Sequence, residues 1–251
     1  VGLLSTLLGV STAWAVTRYN FFGKKFFQWA LLLPAAVPAY IIAYTYTDFL
    51  EYAGPVQKIL REFFNFQNSN DYWFPEIRSM EGAIFVMSFV LYPYVYMTTR
   101  ASFLTVPVSF FQTSLIYGRS SFFSVALPLA RPGIIAGVAL VLMETISDFG
   151  TVDFFAVETI TLGIFNLWLG MNNLAAASQL ALIGFTFVLV LFALELAARN
   201  KQRFNDTKIT LYRGFNKKVS PLKNLFIFMI CLLPLVIGFL IPVLILIINS
   251  I

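Results

Sequence analysis

Six long apolar runs limit the possible folds of this chain more than any other feature. They cover residues 2–17, 27–47, 82–99, 133–150, 175–198 and 225–248, and four of the six contain no charged residue. A helix needs about 20 mostly apolar residues to cross the hydrocarbon of a bilayer. The helices of a soluble core would also need polar faces, which these runs do not offer. The sequence therefore predicts an all-α, polytopic transmembrane helical bundle.

The polar composition excludes several other classes of protein. The chain has no His and one Cys, Cys231, so neither a disulfide framework nor a Cys/His metal site can form. The net charge of +5 comes from bases that stand between apolar runs instead of on one soluble face. We therefore expect the lipid bilayer, and not nucleic acid, as a partner.

The charges between the runs alternate in sign along the chain. Residues 18–25 and 100–131 each hold three bases and no acid, and 199–223 hold eight bases and one acid. Residues 48–81 hold six acids against three bases, and 132–173 hold four acids and no base. Lys and Arg are retained on the cytoplasmic side of a membrane. The pattern predicts a multi-pass protein with 18–25, 100–131 and 199–223 in the cytoplasm.

Prolines and one polar loop add detail to this topology. Pro34 and Pro38 lie inside the second run, where proline removes a backbone donor and bends a helix. After Gly54-Pro55, the apolar spacing predicts a short amphipathic helix outside the membrane. Its stripe consists of Val56, Ile59, Leu60, Phe63 and Phe64. Such a helix lies flat at the outer interface, where it either docks an extracytoplasmic partner or covers the rim of the bundle.

The connection 100–131 is long for a compact bundle, which indicates that it has a use. It resembles the cytoplasmic signature loop of binding-protein-dependent ABC importer permeases, in which two short helices flank a glycine and dock on an ATPase. The matching residues are Gln112, Thr113, Ser114, Gly118, Val125, Leu127 and Pro128. Gln112 replaces the family's acidic residue, and Gly118 and Val125 are separated by six residues instead of nine. The turn therefore lies either at Gly118 or at Ser120–Ser121, and the second short helix is expected to lose nearly a turn.

A second resemblance narrows the family. Residues 143–155 and 159–165 are similar to the corresponding stretch of ferric-iron importer permeases, and 31–40, 48–57 and 72–79 are similar to that family's first half. The resemblance implies a type I importer permease with the MetI-like fold, located in the bacterial inner membrane. It further implies that ferric iron is the cargo.

The same resemblance implies the division of the chain and its partners. Residues 1–205 would form an N-terminally truncated first transmembrane half with a coupling loop at 103–128. Residues 206–224 would form a basic cytoplasmic linker, and 225–251 would begin a second half. The implied partners are ABC ATPase subunits, an extracytoplasmic binding protein, and a second permease half in the same chain or in a dimer. The chain has no phosphate-binding Gly-x-x-x-x-Gly-Lys-Ser/Thr loop, so ATP and Mg belong to the ATPase, and we expect neither a cofactor nor enzymatic activity here.

Two acidic residues near the outer end of the fourth run are candidates for the translocation path. Glu144 and Asp148 are four residues apart, which would place them on one helix face. Carboxylates in a membrane usually face a cavity or a partner, so the pair either lines an outward vestibule or serves packing and the wet interface. Four other polar residues are expected to make interhelical hydrogen bonds or to anchor at the interface: Tyr40, Tyr44, Gln179 and Glu195.

Three classes of function fit a polytopic bundle. An ion-coupled secondary transporter would want ionisable groups near mid-membrane in matching repeats, whereas the acids here cluster toward one side. An embedded enzyme would need a nucleophile–base or metal constellation, for which a chain without His offers little material. A permease powered by a partner ATPase is favoured. Its cargo could instead be thiamine, a polyamine or another small ion.

Overall fold

The computed structural model describes residues 1–200, 217–218 and 220–250, and these residues are almost entirely helical. The α-helices are α1 (Gly2–Arg18), α2 (Lys24–Ala30), α3 (Ala39–Leu50), α4 (Pro55–Phe64), α5 (Met80–Thr105), α6 (Val108–Ile116), α7 (Leu127–Ser147), α8 (Gly150–Phe154), α9 (Ile160–Phe165), α10 (Leu174–Asn200), α11 (Pro221–Leu235) and α12 (Ile241–Asn249). Short 3₁₀ turns cover Leu33–Ala36 and Ser69–Asp71, and π turns cover Phe122–Ala126, Asn166–Gly170 and Val236–Leu240. Much of the predicted linker 206–224 lies outside the described residues.

Among the described residues, four continuous helical segments are long and apolar enough to cross a bilayer. They are Met80–Thr105, Phe122–Ser147, Leu174–Ala197 and Pro221–Asn249. A fifth span is obtained if the bent pair Lys24–Ala36 and Ala39–Phe64 is counted as one span. These findings confirm the prediction of an all-α transmembrane bundle.

The centre of the bundle is α5, which packs between α1 and α7. Glycine allows both contacts to be close, as is common between helices in membranes. A Cβ built on Gly9 of α1 would lie 2.7 Å from Val95 Cβ, and one built on Gly137 of α7 would lie 2.7 Å from Val95 Cα. Buried aromatic side chains of α5, including Tyr92 and Tyr96, fill the core around these contacts.

The second apolar run is broken, so the prediction of one bent helix over 27–47 was wrong in part. The chain forms α2 and a 3₁₀ turn, and then turns by 86° into α3. Pro34 is part of the 3₁₀ turn, and Pro38 forces Val37 into an extended conformation (φ −107°, ψ 128°). The two prolines are too close together for an α-helix to continue through them, so a break replaces the expected bend.

The fourth apolar run is shifted relative to the predicted limits of 133–150. Helix α7 begins at Leu127, with Pro128 in its first turn, where a missing N–H costs little. It ends at Ser147, because Asp148 adopts an extended conformation with ψ 130°. Glu144 is thus three residues from the helix end, which is about 4.5 Å of rise.

Helices α1 and α5 run parallel to each other, with Ser5 beside Ser88 and Trp14 beside Phe103, and α7 runs antiparallel to both, with Gly137 beside Val95. Among the described residues, the basic connections gather at one end of the bundle and the acidic ones at the other. At the acidic end, the Ser5 hydroxyl donates to the carbonyl of Ser88, and Asn249 Nδ2 donates to Asp48 Oδ2 over 3.3 Å. At the basic end, the backbone N–H of Phe22 donates to Asn224 Oδ1 over 3.2 Å. A short parallel pair joins strand β1 (Tyr19–Asn20) to strand β2 (Lys217–Lys218) at this end.

The amphipathic helix predicted after Gly54-Pro55 is confirmed as α4. Helix α4 begins at Pro55, because proline is well suited to the first position of a helix. It ends at Phe64, because the next residue, Asn65, adopts a left-handed conformation (φ 55°). Gln57 is buried on the inner side, whereas Ile59 and Phe63 of the predicted apolar stripe are 65% and 80% exposed. The stripe therefore faces away from this chain.

Candidate coupling site

The connection between α5 and α7 contains one separate short helix, α6. Helix α5 ends at Thr105 because Val106 precedes a proline and takes an extended conformation (φ −71°, ψ 124°). Pro107 then caps the start of α6. Its buried residues, Phe111 and Ser114, are three apart and form one inward face.

Gly118 ends α6 in a turn that requires a left-handed residue. Its φ is +63°, a conformation that glycine adopts without steric cost. The N–H of Gly118 donates to the carbonyl of Leu115 (3.1 Å), and the N–H of Arg119 donates to that of Ser114 (2.9 Å). This pair of bonds is the Schellman motif. The turn thus lies at Gly118, and the alternative position at Ser120–Ser121 is wrong.

The second short helix expected after Gly118 does not exist as a separate element. The chain re-enters helical structure at Ser121 and runs through the π turn Phe122–Ala126 directly into α7. Six residues between Gly118 and Val125 leave no room for an independent helix and its own exit turn. The Ser114 and Ser121 hydroxyls lie 2.9 Å apart and bridge the two sides of the turn.

Trp14 of α1 holds the whole segment, a role that no motif in the sequence indicated. The Trp14 ring lies 5.5 Å from that of Phe103, 6.2 Å from Phe111 and 5.1 Å from Phe122, measured between ring centroids. These three phenylalanines come from the end of α5, from α6 and from the π turn. Trp14 therefore joins every part of the segment to the core of the bundle.

The predicted coupling residues divide into an outer and an inner set. Gln112, Thr113 and Gly118 are exposed, Ser114 and Val125 are buried, and Leu127 and Pro128 are half-buried. Beside the outer set is an apolar surface that we call the coupling patch. It consists of Leu115, Ile116, Tyr117 and Phe123, which are 52%, 82%, 76% and 69% exposed. The inner set fixes the segment to the bundle, while the coupling patch is free to contact another molecule.

At the opposite end of the bundle, Glu144 and Asp148 differ in their surroundings. The N–H of Asp148 donates to the carbonyl of Glu144 over 2.9 Å, so the common face of the two residues stays a prediction, but the helix does not continue beyond Asp148. Asp148 Oδ2 instead accepts from the backbone N–H groups of Thr151 (3.0 Å) and Val152 (3.2 Å), and so caps α8. The side chain of Glu144 is exposed.

The remaining predicted polar residues also divide by exposure. Glu195 is buried, whereas Tyr40, Tyr44 and Gln179 are exposed. In the part of the chain that the structure describes, no group of three His, Cys, Asp or Glu side chains could hold a metal ion.

The comparison with known families decides what kind of bundle this is. Residues 5–205 match the family model described as "Binding-protein-dependent transport system inner membrane component". The chain belongs to this family. This family consists of transport permeases and not of enzymes.

Curated relatives of this permease transport different solutes. The chain is 27% identical over 206 residues to the Fe(3+)-transport system permease protein FbpB 2 of Haemophilus influenzae, covering 80% of this chain and 35% of that protein. It is 28% identical to the molybdenum transport system permease protein ModB of the same organism, covering 78% and 85% of the two chains. It is 25% identical to the sulfate transport system permease protein CysT of Salmonella typhimurium, covering 77% and 70%. The chain thus spans about a third of the length of the iron-transport relative.

Two residues of the coupling segment, Gly118 and Trp14, differ in how readily the sequence identifies them. Gly118 could be found because a left-handed turn has a strong residue preference. Trp14 is one aromatic residue within a long apolar run, and its partners are about 90 residues or more away in the chain. Only a signal that links distant positions, such as residue co-variation, could have identified it.

Proposed function

We propose that this permease forms half of the membrane domain of an ATP-driven importer, and that it moves ferric iron by alternating access powered by a separate ATPase. The observation that carries the proposal is the coupling patch. It combines exposed apolar side chains with a rigid Schellman turn at Gly118, and Trp14 connects both to the transmembrane helices. A group of large exposed apolar side chains at the end of a bundle is typical of a protein interface.

The ATPase would bind the coupling patch and transmit its movement through Trp14. Ile116 and Tyr117 are the most exposed members and would enter the partner's groove. Phe111 and Phe122 lie beneath them against the Trp14 ring, so displacement of α6 must also move α1 or separate these rings. ATP and Mg would be bound by the partner.

This assignment places the basic end in the cytoplasm, in accord with the alternating loop charges. Single cysteines at the exposed positions Ser69 and Ser120 test it, since the two residues lie at opposite ends of the bundle. A membrane-impermeant thiol reagent added outside should label Ser69→Cys and not Ser120→Cys. The native Cys231 is buried and serves as the unlabelled control. Outside labelling of Ser120→Cys would reverse the orientation.

The binding protein would contact the loop between α3 and α5. This loop is held in shape by side-chain bonds: Arg61 donates to the carbonyl of Tyr52 (2.8 Å), and the Tyr72 hydroxyl donates to Gln57 Oε1 (2.6 Å). It encloses an open cavity of about 770 Å³, next to which Trp73 is 87% exposed. A preformed loop with exposed aromatic side chains suits a protein partner.

A second permease half, in the same chain or in a dimer, would cover part of the outer faces of the bundle. Helix α10 packs against α7 and α9 on one side, while large side chains such as Phe185, Phe187 and Phe192 are about half exposed. The described part of the predicted second half is residues 225–250, which include most of α11 and all of α12. Helix α11 packs on α1 and α2, and helix α12 packs on α3.

The charge of the acidic end supports a cation as the cargo. Residues 132–173 hold four acids and no base, and the exposed Glu144 lies where α7 opens to that side. Acidic rings at the mouth of a transport path favour cations and disfavour anions. An oxyanion such as molybdate or sulfate is the second candidate, because relatives at similar identity are named for those transport systems.

Uptake into vesicles tests the proposal. The full-length permease, its ATPase and its binding protein would be reconstituted together, and accumulation of labelled ferric iron, molybdate and sulfate would be compared with and without ATP. We expect ATP-dependent uptake of iron alone. Uptake of an oxyanion would overturn the assignment of the cargo, and uptake independent of ATP would overturn the coupling.

A further inference from the structure

A groove at the basic end shares two residues, Trp14 and Phe122, with the coupling segment, but the proposed function assigns it no occupant. It lies between α1 and α11, has a volume of about 550 Å³, and is predominantly apolar. It is lined by Ser11, Trp14, Ala15, Tyr19, Phe122, Ser220, Lys223, Phe226, Ile227 and Ile230. We propose that this groove binds one anionic phospholipid of the cytoplasmic leaflet, with the headgroup at Lys223 and an acyl chain along Trp14 and Phe122.

The polarity of the groove changes along its length as that of a lipid does. On α11 its lining runs from Ser220 to Ile230, which is about 15 Å of helix rise. This is about half the ~30 Å hydrocarbon thickness, and therefore the depth of one leaflet. The polar lining, Ser220 and Lys223, lies at the basic end, and the lining toward Ile227 and Ile230 is aliphatic.

Charge complementarity selects an anionic occupant. Lys223 is exposed at the mouth of the groove, and among the described residues no acidic side chain is within ion-pairing distance of it. The adjoining sequence 199–223 holds eight bases and one acid. Each base near a membrane surface favours anionic lipid by about 1 kcal/mol. Basic pockets between helices on the cytoplasmic side are suited to acidic headgroups.

The occupant would touch the residues that hold the coupling segment. Trp14 and Phe122 form one wall of the groove, and their rings lie 5.1 Å apart. A bound acyl chain would fill the space beside this pair and restrict the movement of the π turn. The lipid is thus a regulator of coupling, a consequence that depends on the proposed ATPase function, whereas the binding itself does not.

Quenching of Trp14 fluorescence by brominated lipid tests the binding on the permease alone. Trp29, Trp73 and Trp168 would be replaced by Phe, and the protein reconstituted in phosphatidylcholine vesicles with a minor fraction of phosphatidylglycerol. In one sample the phosphatidylglycerol would carry the bromine, and in the other an equal fraction of the phosphatidylcholine would carry it. We expect brominated phosphatidylglycerol to be enriched about fivefold at Trp14 over an equal fraction of brominated phosphatidylcholine.

Matched variants identify the headgroup contact. Lys223→Gln should abolish the preference, while Lys223→Arg and Lys25→Gln, an exposed base that does not line the groove, should retain it. Added inorganic phosphate should not compete, because a free anion lacks the acyl chain. Equal quenching by both lipids, an unchanged preference in Lys223→Gln, or no quenching because protein fills the groove would each overturn the proposal. If the preference is confirmed but Lys223→Gln leaves ATP-driven uptake unchanged, only the regulatory role is refuted.

Discussion

Replacing Gly118 by valine changes the backbone of the coupling segment without a clash against neighbouring atoms. A Cβ built on Gly118 meets nothing within 4 Å, so the whole effect comes from its φ of +63°. The left-handed conformation costs an L-residue roughly 1–2 kcal/mol, and a β-branched residue belongs at the upper end. The native turn should therefore be populated about 5- to 30-fold less relative to alternatives.

The loss of this turn should uncouple ATP hydrolysis by the ATPase from import by the permease. Without it, the bonds from Gly118 to Leu115 and from Arg119 to Ser114 break, and the last turn of α6 frays. We expect Gly118→Val to insert into the membrane normally, because no residue of a spanning helix changes. Co-purification of the ATPase should fall, or ATP should be hydrolysed without import.

Two control variants separate conformation from bulk. Gly118→Asn should retain most coupling, since asparagine tolerates the left-handed region. Gly170→Val should behave as wild type, because its added Cβ also meets nothing within 4 Å and its φ lies outside that region. Wild-type ATPase binding and uptake in Gly118→Val would refute the coupling role of the turn. An equal defect in Gly118→Asn would refute the conformational explanation.

Three other substitutions have expected outcomes. Gly9→Ala should lower the stability measured by thermal unfolding in detergent by about 1–3 kcal/mol, because its Cβ would lie 2.7 Å from Val95 Cβ, whereas Gly170→Ala should not. Asp148→Ala should lower the local stability of α8 by about 0.5–2 kcal/mol, which would be measured as faster amide hydrogen exchange in this helix. The control is Asp153→Ala, which changes an exposed residue of the same helix and should leave the exchange rate unchanged. Glu144→Gln should reduce uptake at unchanged membrane abundance if this carboxylate lines the path; an equal loss of abundance would indicate a structural role.

The sequence alone predicted the features that depend on local composition. The apolar runs located the membrane helices to within a few residues in most cases, because burial in hydrocarbon requires a minimum apolar length. The alternating loop charges predicted which connections share a side of the membrane, and the assignment of the basic ones to the cytoplasm stays a prediction. Pro55 and Gly118 located a helix start and a left-handed turn, since both residues have strong backbone preferences.

Features that depend on distant partners could not be predicted in this way. The pair Pro34 and Pro38 indicated a bend, but whether the chain bends or breaks depends on what packs around the freed backbone groups. Asp148 looked like a helix residue because its local spacing fits a helix. It is instead used to cap α8, which became visible only when the end of α7 was known.

What the sequence determined about this permease is therefore its family, its membrane character and the distribution of charge between its ends. The tertiary structure decided how the coupling segment is held, because Trp14 meets Phe103, Phe111 and Phe122 only after α1 and α5 have packed together. It also decided the groove at Lys223, which exists only between two helices about 200 residues apart in the chain. Apolar length and charge are properties of single segments, whereas a contact or a cavity is a property of the segments in their packed arrangement.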